Sequence, residues 1–505
     1  VSVSAIRREL FRAANTFVGH WKGGLGIATI AACGGLAALS GSSVANTVTV
    51  GSLTIPMMIR LGYQRHFAAA VESTAATGGQ ITPPIMGAAA FLMVEFLNLP
   101  YGTIVVAAII PAFMHFFGVL CQVHFEAKKT GMRGLTDAEI PKLREVFARD
   151  WPTLAPLVAL IVVLFTGYTP YLAAFWGITG CMLLALAANR AIASVVFMAA
   201  VCVIAPLGLL RAQIPLGPLA VSANFLLFAI AGAFMIHGLA TRKDGRAQLA
   251  DLGDAFIMGA KYAIGVGAAA ATVGIIVGVV TLTGVGFKIS FIVTSLADTM
   301  ARATLGLLPF LPFEMKSATL FYTLVLTAIV CILLGCGVPT TATYIIMVTV
   351  AAPTLGLLGV APIVAHFFVF YYGVLADVTP PVAIAAYAGA SMAGADPFKT
   401  GNTAFRLALG KVLVPFVFVF QPSMLIMVQG FTWSSFLSSI IGCLLSITAL
   451  SAMFTRYALA PLARWECAIL FAAAVPMIAA SWTSIAIGLA IASPVIVRQV
   501  MAGRR

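Results

Sequence analysis

Charge is what this chain has least of. Only 9% of its 505 residues are Asp, Glu, Lys or Arg, where soluble domains carry about a quarter. With 61% hydrophobic residues and a mean hydropathy of +1.06, a water-soluble fold would expose large apolar patches and aggregate. Acidic residues are the scarcer sign, 16 against 29 basic ones, for a net charge of +13. That excess does not mark a nucleic-acid partner, because no basic stripe interleaves with aromatics. Lys and Arg gather instead in short loops and at the C-terminus (Arg498, Arg504, Arg505), as the positive-inside rule expects. The eight cysteines lack any C-x-x-C pair, which excludes a zinc ribbon or a disulfide framework and leaves them as small buried hydrophobes. Residues 1–23 lack the apolar core of a secretory signal.

Long apolar runs are what the chain has in abundance. They fall near 24–40, 44–59, 66–97, 101–124, 151–166, 170–189, 191–210, 218–240, 255–283, 318–334, 338–355, 361–390, 403–427, 432–454, 462–479 and 481–497. Runs of this length match helices across a bilayer, whereas a β-barrel would show shorter alternating segments. The expected fold is an all-α polytopic membrane protein. The charged stretch 124–150, with Lys128, Lys129, Arg133, Lys142, Arg144 and Arg149, reads as a cytoplasmic loop. "GVGFK" (284–288) reads as a loop after a span, since no strand precedes it to make a nucleotide site.

Two stretches break the apolar pattern. Residues 40–56 read "SGSSVANTVTVGSLTIP" and residues 334–343 read "LGCGVPTTAT". Gly41, Val44, Thr47 and Thr49 match Gly335, Val338, Thr341 and Thr343 at a constant offset of 294. Downstream, "ITPPI" (81–85) faces "VTPPV" (378–382) at an offset of 297. Each half therefore pairs a small, polar hairpin tip with a Pro-Pro break in an apolar helix. Treating 24–59 and 318–355 as re-entrant hairpins puts the strong basic clusters on one face, with Arg211 and Arg302 the main exceptions. The first hairpin then enters from inside and the second from outside. Inverted repeats with paired broken helices point to a transport site at the repeat interface.

The division that follows is a first repeat over 1–150 (hairpin 24–59, broken helix 66–97), linking helices over 151–217, a second repeat over 218–428 (hairpin 318–355, broken helix 361–390), and C-terminal helices over 429–505. About 115 residues of membrane-compatible sequence lie between 220 and Gly335, but only 40 precede Gly41. The first repeat is accordingly expected to lack one or two N-terminal spans.

The breaks carry chemistry. Thr82-Pro83-Pro84 and Thr379-Pro380-Pro381 remove backbone donors and bar the preceding residue from helical geometry. The carbonyls so freed survive inside a membrane only when they line a cavity or coordinate something. A hard monovalent cation suits them, with candidate ligands Ser42, Ser43, Asn46, Thr77, Gly78, Gly79, Gly335, Gly337, Pro339, Asp377 and Thr379. Half-helix N-termini at the tips offer free N–H groups to a carboxylate, which makes Ser43, Asn46, Thr47, Thr49, Thr340, Thr341 and Thr343 candidate substrate contacts. Asp377 stands out because an intramembrane carboxylate is expensive. Glu72 shares that logic, with helix–helix hydrogen bonding as its alternative role. His66, His115, His237 and His366 have no partner spacing for metal ligation.

The stretches "GSSVANTVTVGSLTIPMMIRLGY", "AAVESTAATGGQITPPIMGAAAFLMVEFL", "LGCGVPTTATYIIM" and "FYYGVLADVTPPVAIAAYAGASMAGADPFKTG" resemble the large membrane subunit of TRAP (tripartite ATP-independent periplasmic) transporters. The wording is closest to TAXI-type fused permeases, over about residues 20–425. The resemblance implies an elevator-type secondary transporter of organic acids in the inner membrane. It further implies coupling to Na⁺, with H⁺ as the alternative, no other cofactor, and a periplasmic binding protein that delivers substrate. A small membrane subunit, or the missing N-terminal helices, would complete it. Two rivals remain: a carrier for dicarboxylates or similar anions that needs no binding protein, and an intramembrane enzyme. The enzyme would need a nucleophile–base pair or paired carboxylates, and Asp377 faces only Gln80 in the other half.

Overall fold

The computed structural model describes residues 23–132, 151–187, 189–209, 213–216, 219–241, 245–307 and 314–503. Most of the charged loop after 132, Arg211, Arg242, Lys243, Arg504, Arg505 and the first 22 residues lie outside the described residues. Helices dominate: α1 (Gly24–Ser40), α2 (Ser43–Arg60), α3 (Arg65–Gly79), α4 (Ala88–Leu97), α5 (Tyr101–Lys129), α6 (Ala155–Phe165), α7 (Pro170–Leu186), α8 (Arg190–Leu209), α9 (Ala223–Thr241), α10 (Gly245–Thr283), α11 (Val285–Leu307), α12 (Met315–Gly335), α13 (Thr340–Val350), α14 (Ala352–Gly356), α15 (Pro362–Ala376), α16 (Ile384–Ala393), α17 (Pro397–Leu407), α18 (Leu409–Phe420), α19 (Trp433–Thr455), α20 (Arg464–Ile478) and α21 (Trp482–Gly503). The exception is a two-stranded antiparallel ribbon, β1 (Gln213–Leu216) with β2 (Leu219–Ser222). Among the described residues five helices are long and apolar enough to span a bilayer, or six if the bent α10–α11 pair counts as one span.

The chain forms two compact units. The smaller contains α6 to α9, the ribbon and the start of α10, with α6 packed on α7 and α8. The larger contains both polar tips and both Pro-Pro breaks. Large apolar side chains such as Phe113, Phe287, Phe291 and Leu282 lie on its outside, as lipid-facing helices require.

In the larger unit the first hairpin turns at Gly41 and Ser42. Gly41 takes a left-handed backbone (φ 64), and its N–H closes α1 on the Ala37 carbonyl. Ser42 is extended and caps α2, its hydroxyl accepting from the Ala45 N–H. The second hairpin turns through Gly337 (φ 78) and starts α13 after Pro339, whose fixed φ suits a helix entrance.

Both broken helices stop at the same point. α3 and α15 each run 15 residues, about 22 Å, which is too short for a hydrocarbon core of about 30 Å. Their bounds correspond residue for residue at the offset of 297. After each Pro-Pro pair the chain passes through a residue of positive φ, Met86 (φ 56) and its repeat mate Ala383 (φ 33). The second peptide bond of each pair, Pro83–Pro84 and Pro380–Pro381, is cis.

The halves are interleaved. The segment beyond the first break, α4, packs on α13 and α15 of the second half, while its mate α16 packs on α2 and α3 of the first. Hydrophobic burial of Ala- and Gly-rich faces makes this crossing close. A Cβ on Gly389 of α16 would stand 3.1 Å from the Ala69 carbonyl of α3; within the first half α1 and α3 are closer still, a Cβ on Gly79 standing 2.0 Å from Ala37 Cβ.

Three expectations need correction. "GVGFK" is no loop: Gly284 (φ 64) bends the chain by 70°, and α11 begins at Val285. Its apolar face is interrupted by Lys288, Asp298 and Arg302, which hid it from a search for unbroken apolar runs. The helices leaving the tips, α2 and α13, begin at Ser43 and Thr340, so the tips register at 297 and not 294; the second turn is two residues longer. Finally, of the eight cysteines only Cys33, Cys121, Cys331 and Cys443 are buried, while Cys181 and Cys202 are exposed.

Candidate functional site

Gln80 and Asp377, repeat mates at offset 297, end α3 and α15 and face each other's half. The Ser43 hydroxyl of the first tip donates to Asp377 Oδ2 of the second break at 2.6 Å. Reciprocally, Gln80 Nε2 of the first break donates to Thr340 Oγ1 of the second tip at 2.9 Å. Ser43 and Thr340 are themselves mates at the same offset, so the two bonds exchange under the repeat operation. The Gln80 amide spends its other hydrogen on the Gly41 carbonyl, 3.3 Å away. One side chain thus ties both tips together inside the protein. Gly41 also lies against the segment after the first break: a Cβ there would stand 2.4 Å from Gly87 Cα.

The remaining tip residues divide by what they touch. Asn46 is buried and donates through Nδ2 to Ser40 Oγ at 2.6 Å. Thr47 and Thr343, also buried, turn their hydroxyls to backbone carbonyls, Ser43 O and Val338 O. Their methyl groups pack towards Gly389 and towards Gly335 and Gly373, so these two threonines serve packing more directly than ligation. Thr49 and Thr341 are half-buried on their helices.

At the first break the Thr82 hydroxyl donates to the Gly78 carbonyl at 2.7 Å, and at the second its mate Thr379 donates to Leu375 O at the same distance. Gly78 O also takes the Ile81 N–H, and Gly79 O takes the Thr82 N–H. The Pro-Pro turns therefore satisfy part of their own freed backbone. In the second half, Gly335 O and Pro339 O accept from Val338 N and Thr343 N.

Two polar residues in the site escaped the candidate set. Gln80 lies opposite Asp377, and its position as that residue's repeat mate is the sequence signal for it. Lys411 on α18 is completely buried and donates its ammonium to Thr77 Oγ1. A lone lysine within the apolar run 403–427 was the available signal. Glu72 lies elsewhere, fully buried between α2 and α3, with Thr54 Oγ1 at 2.5 Å from its Oε2. That is the helix–helix bond considered as its alternative role. His366 bonds Tyr344, and His115 is buried against Gly78.

The donors can be tested against a monovalent cation. At Asp377 the carboxylate and the Ser43 hydroxyl bonded to it are hard oxygens of the kind a monovalent cation takes. At Thr77 the fit fails, because the hydroxyl oxygen already faces an ammonium. Among the described residues no cluster of three or more His, Cys, Asp or Glu side chains could hold a multivalent metal.

Paired helical hairpins and broken helices, bonded tip to break across the two halves, are the architecture of a membrane permease. The chain belongs to the family described as "Tripartite ATP-independent periplasmic transporter, DctM component", which matches residues 1–207 and 198–433. This is a family of transporter permeases, not of enzymes. The chain is 29% identical over 193 residues to the isethionate TRAP transporter permease protein DctMQ of Oleidesulfovibrio alaskensis, covering 36% of this chain and 29% of that protein. It is 30% identical over 151 residues to the C4-dicarboxylate TRAP transporter large permease protein DctM of Pseudomonas aeruginosa (30% of this chain, 33% of that protein). It is 32% identical over 110 residues to the ectoine TRAP transporter large permease protein TeaC of Halomonas elongata (21% and 25%). Each match thus spans a third or less of the relative's own length.

Proposed function

We propose that this chain is the large permease of a TAXI-type secondary transporter. It imports an organic acid across the inner membrane, coupled to a cation gradient, with Na⁺ as the ion and H⁺ as the alternative. Substrate arrives from a periplasmic binding protein, and a small membrane subunit or equivalent helices complete the assembly. The reading is supported by the named relatives, whose substrates include C4-dicarboxylates and isethionate, both anions. The observation that carries it is the exchanged pair of bonds, Ser43 to Asp377 and Gln80 to Thr340.

Two tips and two breaks form one polar nucleus within an apolar body. A cation held by Asp377 and Ser43 would tie the first tip to the second break. The helix N-termini at Ser43 and Thr340 would then face a carboxylate with their dipoles and free N–H groups. In an elevator cycle the interlocked tips and breaks move as one body, because α4 packs on α13 and α15 of the other half and α16 on α2 and α3.

The experiment is uptake by proteoliposomes of the full-length protein with its cognate binding protein, under an imposed sodium gradient or pH gradient. Asn46→Ala, Thr341→Ala and Asp377→Ala are each expected to abolish gradient-driven uptake while the protein still inserts. Unchanged uptake in all three would remove the site from these residues.

A further inference from the structure

The two halves have not kept the same charges. At the offset of 297, Asp377 corresponds to Gln80, Thr77 to Val374, and Lys411 to Met114. The second break therefore has a carboxylate and Val374 where the first break has an amide and Thr77, and the second half's Lys411 stands where the first half has Met114. The first half has an amide where the carboxylate should be, but its break hydroxyl, Thr77, carries an ammonium brought in by α18. Thr77 donates its own hydrogen to Thr74 O at 2.9 Å, so its oxygen meets the ammonium with lone pairs, as it would meet a metal cation. Lys411 has no exposed surface; it belongs to the second repeat, like Asp377, whose charge acts on it, and its ammonium crosses the repeat interface to reach Thr77. Burying an ammonium without compensation costs several kcal/mol, so its position at a break marks a specific use.

We propose that Lys411 is a tethered cation: its ammonium, seated on Thr77, takes the place that a mobile coupling ion would otherwise hold at the first break. One half then keeps a carboxylate open to a mobile cation, and the other carries its cation covalently. Of the two breaks, the second alone is then left to take a mobile cation. The proposal rests on the reading of the breaks as cation sites, and its test separates the two.

The full-length protein, purified in detergent, is melted over a hundredfold range of NaCl with choline chloride as the ionic-strength control. Binding to the folded state raises the melting temperature with ligand concentration, by up to roughly 2–3 °C across that range for a chain of this length. Wild type is expected to respond to NaCl, and Asp377→Asn to lose the response. The double variant Asp377→Asn/Lys411→Ser is expected to regain it, because an empty, hydroxyl-lined first break can then take Na⁺. Lys411→Ala, which leaves the Thr77 hydroxyl equally free, replaces the serine variant if that variant does not fold. A double variant as insensitive to NaCl as Asp377→Asn overturns the tethered cation. An Asp377→Asn protein that responds like wild type instead overturns the cation reading of the second break.

Discussion

Ser43→Ala is the most informative single change, because its effect can be worked from one bond. The Ser43 hydroxyl is buried and gives its hydrogen to Asp377 Oδ2 at 2.6 Å. Deleting the donor leaves a carboxylate oxygen short of a partner in a nearly dry site. A hydrogen bond to a charged group contributes about 1.5–3 kcal/mol, which corresponds to a loss of roughly 10- to 150-fold in the transport rate constant. The mirror bond, Gln80 to Thr340, joins two neutral groups and should be worth only about 0.5–1.5 kcal/mol. The assay is a double-mutant cycle on initial uptake rates normalised to inserted protein: Ser43→Ala with Asp377→Asn, and Gln80→Ala with Thr340→Ala. The account expects coupling in both cycles, larger in the first. Effects that add within about 0.5 kcal/mol in the Ser43–Asp377 cycle would refute the reasoning, since additive changes belong to residues that do not interact.

Other changes test the scaffold. A side chain at Gly79 would overlap Ala37, so Gly79→Ala should lower the unfolding temperature in detergent, at a cost of about 1–3 kcal/mol. Gly35→Ala, with open space around its Cβ, should stay within about 0.5 kcal/mol of wild type in the same melt. Glu72→Gln keeps an acceptor for Thr54 and should change stability by less than about 1 kcal/mol, whereas Glu72→Ala opens a void between α2 and α3 and should cost about 2–4 kcal/mol. If the glutamine variant inserts normally but the alanine variant does so equally well, Glu72 is not the interhelical strut described here.

Much of this arrangement was legible before any coordinates, because its strongest signals are backbone signals. Pro83-Pro84 and Pro380-Pro381 cannot continue a helix, and Gly41 and Gly337 mark turns that need a left-handed residue. Such constraints act locally and survive in a bare sequence. The tip register was three residues off because identity of small residues (Gly41 with Gly335) is a weaker guide than the position where a helix starts. Helix α11 was missed because it alternates charged and apolar faces, and apolar runs were the criterion. Lys411 and Gln80 were missed as site members for another reason. Their importance comes from reaching across the repeat interface, Lys411 to a residue 334 positions earlier and Gln80 to one 260 positions later. No local pattern encodes a partner that far away. Conversely, Thr47 and Thr343 looked like ligands because the sequence shows a hydroxyl but not that its hydrogen is already given to a backbone carbonyl.

The central claim is that each broken helix ends on the opposite hairpin's tip. Cysteine cross-linking tests it most directly: in a cysteine-free background, Gln80→Cys with Thr340→Cys and, separately, Ser43→Cys with Asp377→Cys are exposed to a short bifunctional reagent in membranes. Efficient cross-linking of both pairs is the predicted result. Failure of both, in proteins that insert and in which each single cysteine reacts with a small maleimide, would contradict the claim.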